Sequence, residues 1–282
     1  MSHNNFEEGI PLGKHTDYQF DYDASLLFPI ARQLGRDSLN ISAQALPFAG
    51  ADRWTAFELS WLNAKGVPQV AIAEFNFSCE SKNIIESKSF KLYLNSFNQT
   101  KLLDATELQT ILQTDLSRVC EGEVEVKLFS VDDYPIMEPD DFICIDDVDV
   151  VCSVYEPDVN LLNVDSVDID KQRQKIKTHL LRSLCPVTGQ PDWATLYIDY
   201  QGPVIEHSSL LAYIVSFRNH QGFHEQCVEQ IFTDILHYCQ ASELSVYARY
   251  MRRGGLDINP IRFTSGYEQE AMALINARTA RQ

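Results

Sequence analysis

No C-x-x-C pair, no G-x-G-x-x-G and no G-x-x-x-x-G-K-[ST] occurs anywhere in the 282 residues. The last two absences exclude the Rossmann and P-loop ways of gripping a nucleotide by its phosphates. Basic residues are scarce as well. Lys and Arg number 23 against 40 Asp and Glu, a formal charge of −17. Such a surface repels phosphate backbones and anionic lipid, so neither a nucleic acid nor a membrane surface is expected as a partner. No apolar run approaches the ~20 residues of a membrane helix. The start, "MSHNNFEEGIPLGKHTDYQF", has neither a basic n-region nor an apolar h-region. With no signal and an odd seven cysteines, reduced thiols in the cytoplasm are the expectation.

What is present is core material, 45% hydrophobic residues with 11% aromatics, enough to fold as one large domain or two ordinary ones. Acid is concentrated. From Asp132 to Asp170 there are thirteen Asp or Glu and no Lys or Arg. That stretch reads as a solvated connector holding one short strand, "FICIDDVDVV", and it places a boundary between two halves.

In the first half, "AFELSWLN" (56–63) and "QVAIAEFNFSC" (69–79) read as strands joined by the turn "AKGVP". "SFKLYLNSF" (89–97) has mixed helical spacing. The run 104–120 predicts an amphipathic helix, with Leu108, Ile111, Leu112 and Leu116 at i, i+3, i+4 and i+8, and 123–131 alternates as a strand. The second half is expected to open with a helix, "KQRQKIKTHLLRSL" (171–184). A turn, a strand over 194–202, two helices across 207–240 and a strand over 244–255 follow.

The halves resemble each other. Laying "ESKSFKLYLNSF" (86–97) over "EHSSLLAYIVSF" (206–217) needs one offset of 120 and no gap, and five of twelve positions coincide. Upstream, "KGVPQVAIAEFNF" and "TGQPDWATLYIDY" share a Gly-x-Pro turn that runs into an alternating strand. Strand, strand, helix, helix, strand in each half predicts a duplicated α+β unit, with helices covering one face of an antiparallel sheet. The polar residues are divided between the copies. Only the second has "CPVTGQPDW" and "GFHEQC"; only the first keeps both lysines of "ESKSFK". One site assembled where the halves meet explains this better than two independent sites.

Each polar candidate has a plain structural reading beside a chemical one. A free thiol is only a few per cent thiolate at neutral pH, and a buried cysteine such as Cys185 is commonly packing. However, "SLCPVTG" sets Cys185 at the end of the expected helix, before a proline that stops it, and the Gly-Gln-Pro turn can return Asp192 alongside. A carboxyl group enclosed by apolar side chains keeps its proton and serves as a donor. His224 and Glu225 are either ordinary core and first-turn residues or two groups facing one cavity from a helix N-terminus. Lys88, Lys91, Arg252 and Arg253 are solvated charges or an anion grip, since "RRGG" sets guanidiniums beside glycines whose backbone N–H groups can approach a phosphate.

Together "CPVTGQPDW", "ESKSFKLYLNSF", "SFRNHQGFHEQC" and "RRGGLDINP" resemble the signature segments of the NADPH-dependent 7-cyano-7-deazaguanine reductases, the nitrile reductases of tRNA queuosine biosynthesis, in their long two-copy form. The resemblance runs from about "TDYQFDYDASLL" to "LDINP". It implies two tandem tunnelling-fold halves, 1–150 with "ESKSFK" and 151–282 with the cysteine, "FHE" and "RRGG", associating into barrels in a homodimer. It implies four-electron reduction of a small deazaguanine nitrile to an aminomethyl group with two NADPH and no metal. Cys185 would form a covalent thioimide and Asp192 would protonate the nitrogen. Ile85, Glu86 and Ser87, with His224 and Glu225, would hold the substrate. Ser87, Lys88, Arg253 and Gly254 would hold NADPH.

Two other readings compete. His224 and Cys227 form H-x-x-C, one helical turn apart, and Cys185 completes a Cys₂His set, which would make a zinc-dependent cyclohydrolase acting on a guanine nucleotide. A purine- or pterin-binding module without catalysis is the second.

Overall fold

A computed structural model describes residues 21–135, 137, 139, 141–164, 172–276 and 278–282. The last residues of the acidic connector, 165–170, lie outside these. The chain is mixed α and β, and its contacts divide it into two compact units. One comprises Met1–Leu34, Asp52–Pro135 and Arg252–Asp257; the other comprises Gly35–Ala51, Ile136–Met251 and Ile258–Gln282.

The first unit holds β1 (Pro29–Ala31), most of β2 (Ala49–Leu62), β3 (Pro68–Ser78), β4 (Asn83–Ile85), α2 (Ser87–Ser96), α3 (Ala105–Cys120) and β5 (Val124–Phe129). Its sheet runs β5-β3-β2, with β3 antiparallel to β5 from Ile72↔Phe129 to Phe77↔Val124. A separate antiparallel pair, β1 and β4, is in register at Pro29↔Ile85. Helix α3 matches its expected bounds. Asp104 caps it by accepting from the Glu107 N–H at 2.9 Å. Leu108, Leu112, Leu116 and Cys120 are fully buried, and each leucine contributes about 1.5–3 kcal/mol by leaving water.

The second unit holds α1 (Gln33–Asp37, from Gly35 on), β6 (Ile143–Cys144), β7 (Gln172–Leu184), β8 (Pro191–Gly202), α4 (His207–Ser216), α5 (His224–Tyr238), β9 (Glu243–Tyr250), most of β10 (Leu256–Phe263) and α6 (Glu268–Leu274). Strand order is β10-β9-β8-β7-β6. All neighbours are antiparallel except β6, which lies parallel to β7 through Ile143↔Ile176.

The expected helix over 171–184 is a strand instead. β7 pairs with β8 from Gln172↔Gly202 to Leu184↔Pro191, with a shift of register between Thr178 and Leu181. That bulge inserts one extra residue. The buried positions therefore fall at 176, 178, 181, 183 and 185, a strand alternation with one skipped beat. The leucines at 180, 181 and 184 following Ile176 mimic helical spacing, although Leu180 is 38% exposed. Strand β9 also stops at Tyr250, short of the expected 255, and the connector strand shrinks to Ile143–Cys144. β10, rich in Asp, Asn and Pro, was not foreseen. Its Asn259 is buried because its side-chain oxygen accepts from the Tyr250 N–H at 2.9 Å.

Four of the five residues shared by 86–97 and 206–217 do the same work in both places. The Ser89 hydroxyl donates to the Glu86 carbonyl at 2.7 Å, and that of Ser209 to Glu206 at 2.8 Å. Ser96 donates to the Tyr93 carbonyl and Ser216 to Tyr213, both at 2.6 Å. Tyr93 donates its phenol proton to Asp115 at 2.9 Å, and Tyr213 to Asp234 at 2.6 Å. Phe97 and Phe217 are fully buried. The glutamates differ. Glu86 is buried and caps α2 by accepting from the N–H groups of Lys88 and Ser89 at 2.8 and 2.7 Å. Glu206 is exposed and accepts from Ser208 and Asn163 side chains.

Candidate active site

Cys185 occupies the turn of the β7–β8 hairpin, directly after the last β7 residue and not after a helix. Its N–H donates to the Gln190 carbonyl, and its carbonyl accepts from the Gly189 N–H, both at 2.9 Å. The turn requires a left-handed residue, and Gly189 supplies it at φ +67°. The strand end before the thiol is held on both sides: Leu184 N–H donates to the His220 carbonyl at 2.8 Å, and the Leu184 carbonyl accepts from Gly222 N–H at 3.1 Å.

Ser183 stands opposite Asp192 across the hairpin. Alternation puts Cys185, two residues on, on that same face. All three are buried, Cys185 at 7% and Asp192 at 2% exposure. On the hairpin's other face Arg182 and Arg218 stack over the Trp193 ring, 5.6 and 5.5 Å from its centroid, which stiffens the strand beside Asp192.

Helix α5 brings in the imidazole. His224, its first residue, lies flat on Tyr250, with centroids 3.6 Å apart and planes at 6°. Its Nδ1 is 3.1 Å from the Ile258 carbonyl. A carbonyl only accepts, so Nδ1 carries a proton and Nε2 faces Asp192, 3.4 Å from Oδ2. Neutral imidazole in this tautomer can take a proton from the carboxyl group and return it. Glu225 is buried in the first turn of α5, where the helix dipole favours its charge.

Cys227 is fully buried and meets the Ser183 and Tyr250 side chains; burial, opposed by those hydrogen bonds, pushes its thiol up to about 12. It therefore stays protonated. With one His224 nitrogen on Ile258 and the other toward Asp192, the set Cys185, His224 and Cys227 does not converge on a common point. Among the described residues, the His, Cys and carboxylate atoms that gather within 4.8 Å of one another belong to Cys144, Asp146 and His179.

The remaining expected residues lie in the first unit. Ile85 ends β4 and is buried, Glu86 caps α2, and Ser87 and Lys88 form that helix's half-buried first turn. "RRGG" is a tight turn in which Arg253 N–H donates to the Leu256 carbonyl at 2.8 Å. Gly254 and Gly255 take φ +59° and +77°, which β-carbon-bearing residues resist. A Cβ on Gly254 would touch the Lys91 side chain, with Cδ at 3.5 Å and Nζ at 3.9 Å. Thus "ESKSFK" and "RRGG", far apart in sequence, meet through Lys91 and Gly254. Arg252 lies 4.8 Å over the Phe57 ring.

Several supporting residues escaped the sequence reading. Ser183 and Tyr250 hydrogen-bond the buried Cys227 thiol. On α5, one turn beyond Glu225, buried Glu229 accepts from Arg36 at 2.7 and 3.0 Å and from Arg262 at 2.8 and 3.1 Å.

Fold and side chains define an α+β protein in which a buried cysteine and a buried carboxyl group share one hairpin and an imidazole faces that carboxyl group. Comparison with known proteins narrows this. Residues 18–128 match the family described as "Nitrile reductase, 7-cyano-7-deazaguanine-reductase N-term", and 191–269 match "QueF-like protein". Cys185 falls between the two matches. The chain is 54% identical over 278 residues to the NADPH-dependent 7-cyano-7-deazaguanine reductase of Burkholderia cenocepacia (strain HI2424), covering 98% of this chain and 99% of that one. It is 53% identical over 277 residues to the protein of the same name from Burkholderia multivorans (strain ATCC 17616 / 249), with the same coverage. The solved apo form of the archaeosine synthase QueF-Like aligns with TM-score 0.31 and 15% identity over 35% of this chain and 97% of its own, a likeness too slight to carry an argument. The chain belongs to the family of NADPH-dependent 7-cyano-7-deazaguanine reductases.

Proposed function

We propose that this protein reduces the nitrile of 7-cyano-7-deazaguanine to an aminomethyl group at the expense of NADPH, in queuosine biosynthesis. One observation carries the reading: identity of 54% across 98% of this chain and 99% of a relative bearing that name.

The residues fit the co-substrate. The Gly254 backbone, at φ +59°, lies against the Lys91 side chain, and Lys88 and Arg253 add positive charge suited to phosphates. Ser87, Lys88, Arg253 and Gly254 are assigned to NADPH, which supplies hydride when bound; nitrile to amine takes four electrons, hence two equivalents. Ile85, Glu86 and Ser87, with His224 and Glu225, are assigned to the deazaguanine. A guanine-like edge presents adjacent N–H donors, which a carboxylate accepts in pairs.

Cys185 Sγ bonds to the nitrile carbon as one C–N π bond breaks, and the nitrogen takes a proton from the Asp192 carboxyl group. The thiol's own proton restores the acid, with His224 Nε2 as the neighbouring acceptor. The product is a thioimide, a better electrophile than the nitrile. Reduction at its carbon and departure of the sulfur leave an imine, whose reduction and protonation give the amine. Asp192, buried and paired with an imidazole, suits repeated proton delivery. The alternative, a zinc-dependent cyclohydrolase-like site on Cys185, His224 and Cys227, is less favoured, because one His224 nitrogen is on the Ile258 carbonyl and the other faces Asp192.

The fold is proposed to be two tandem tunnelling-fold halves, 1–150 and 151–282, in a cytoplasmic homodimer. The matched hydrogen bonds of 86–97 and 206–217 support the duplication.

Mass spectrometry of the protein mixed with the nitrile, without NADPH, is the direct test. A mass gain of one substrate on the Cys185 peptide is expected; no adduct, or one on another cysteine, overturns the mechanism. Cys185→Ala should bind the nitrile without turnover. Asp192→Asn should lose about 10²–10⁴-fold in kcat.

A further inference from the structure

Beyond the thiol site, the second unit brings three different metal-ligating side chains together where the connector meets the hairpin. Cys144 ends β6, Asp146 follows two residues later, and His179 lies in the bulge of β7. Their ligand atoms are all within 4.8 Å of one another, with Cys144 exposed and the other two half-buried. We propose that Cys144, Asp146 and His179 form a zinc site that fastens β6 to β7, with its fourth position open to solvent.

The donors are already aimed. Asp146 Oδ1 accepts from the Thr178 hydroxyl at 2.6 Å, and the carboxylate also accepts from the His179 N–H at 3.1 and 3.2 Å. His179 Nδ1 is 2.9 Å from the Thr195 hydroxyl, which leaves Nε2 as the ligating nitrogen. An imidazole whose second nitrogen is fixed by a hydrogen-bonding partner is the usual arrangement of a metal-bound histidine. Backbone bonds fix the frame. Ile145 N–H donates to the Lys177 carbonyl at 3.1 Å, and Arg281 donates to the His179 carbonyl at 2.9 Å.

The donor set selects the ion. One thiolate, one imidazole and one carboxylate suit Zn²⁺ and not Mg²⁺ or Ca²⁺, which take oxygen alone. Zinc bond lengths place tetrahedral donors about 3.3–3.6 Å apart, so side-chain rotations of roughly 1 Å complete the site. Binding forms Zn–S, Zn–N and Zn–O bonds and releases the Cys144 thiol proton to solvent; no electron moves. The acidic connector that carries two of the ligands supplies a field that draws cations in.

Cobalt(II) is the probe, because thiolate ligation gives a near-ultraviolet charge-transfer band. The full chain, freed of bound metal by chelator, dialysed and titrated with Co²⁺, should show this band saturating at equimolar metal, then lose it when Zn²⁺ displaces Co²⁺. Cys185→Ser should retain the band, and Cys144→Ser should abolish it. Cys144 is exposed, so that substitution removes no packing, and circular dichroism checks the fold. Thr195→Val should weaken binding about 10–100-fold by freeing the imidazole. No band in the wild type, a band that survives Cys144→Ser, or one lost in Cys185→Ser overturns the proposal. Its failure leaves the nitrile chemistry untouched, because that is read from the Cys185 adduct.

Discussion

At the scale of single residues, environment decides which groups act. Cys185 and Cys227 are both buried, but only Cys185 sits on a turn; Cys227 lies wholly inside α5's packing face, with its thiol pushed up to about 12. His220 gives a pH signature. Burial holds its imidazole below the usual histidine range. Below about pH 6.5 the unfolded chain takes up a proton that the folded chain resists, so stability falls as pH drops through this window. His220→Asn should therefore lose less of its urea midpoint between pH ~7.5 and ~5.5 than wild type does; an equal or larger loss removes His220 from the account. Gly254→Ala places a β-carbon at φ +59°, at a cost of roughly 1–2 kcal/mol, and distorts the turn under Lys91. A higher KM for NADPH with a smaller change in kcat is the expected kinetic result. Most residues assigned to the site were picked out from sequence because turn and cap residues announce themselves locally. Ser183 and Tyr250 were not, since only hairpin register and the β9 pairing bring them to the site.

At the scale of elements, α5 is set by Glu229, whose carboxylate serves two buried guanidiniums. Glu229→Ala removes the carboxylate shared by Arg36 and Arg262, and chemical denaturation should report a loss of about 3–5 kcal/mol. A loss below about 1 kcal/mol would mean that water reaches both arginines. Element identity was readable where the apolar period runs unbroken, as in α3. It failed in β7, where the bulge between Thr178 and Leu181 shifts the phase of alternation and the solvent face carries Lys, Arg and Gln, all good helix formers. Extensive pairing with β8 overrides that local preference. β10 failed for the opposite reason: its Asp, Asn and Pro lower strand propensity, and buried hydrogen bonds unseen in sequence compensate.

At the scale of the whole molecule, a charge of −17 makes self-repulsion part of the stability balance. Raising ionic strength from ~0.01 to ~0.15 M shortens the screening length from about 30 to about 8 Å, so Tm should rise over that range. A flat or falling Tm would show that local ion pairs outweigh the net field. No helix among the described residues is long and apolar enough to cross a membrane.

The paired bonds on Leu184, one to His220 and one from Gly222, have a mechanical corollary. The 220–222 segment leads straight into α5, so the peptide carrying the sulfur is bolted to the base of the helix that carries the imidazole. Jostling by heat or by an arriving molecule displaces both reactive groups as one rigid part, and their mutual aim survives the disturbance.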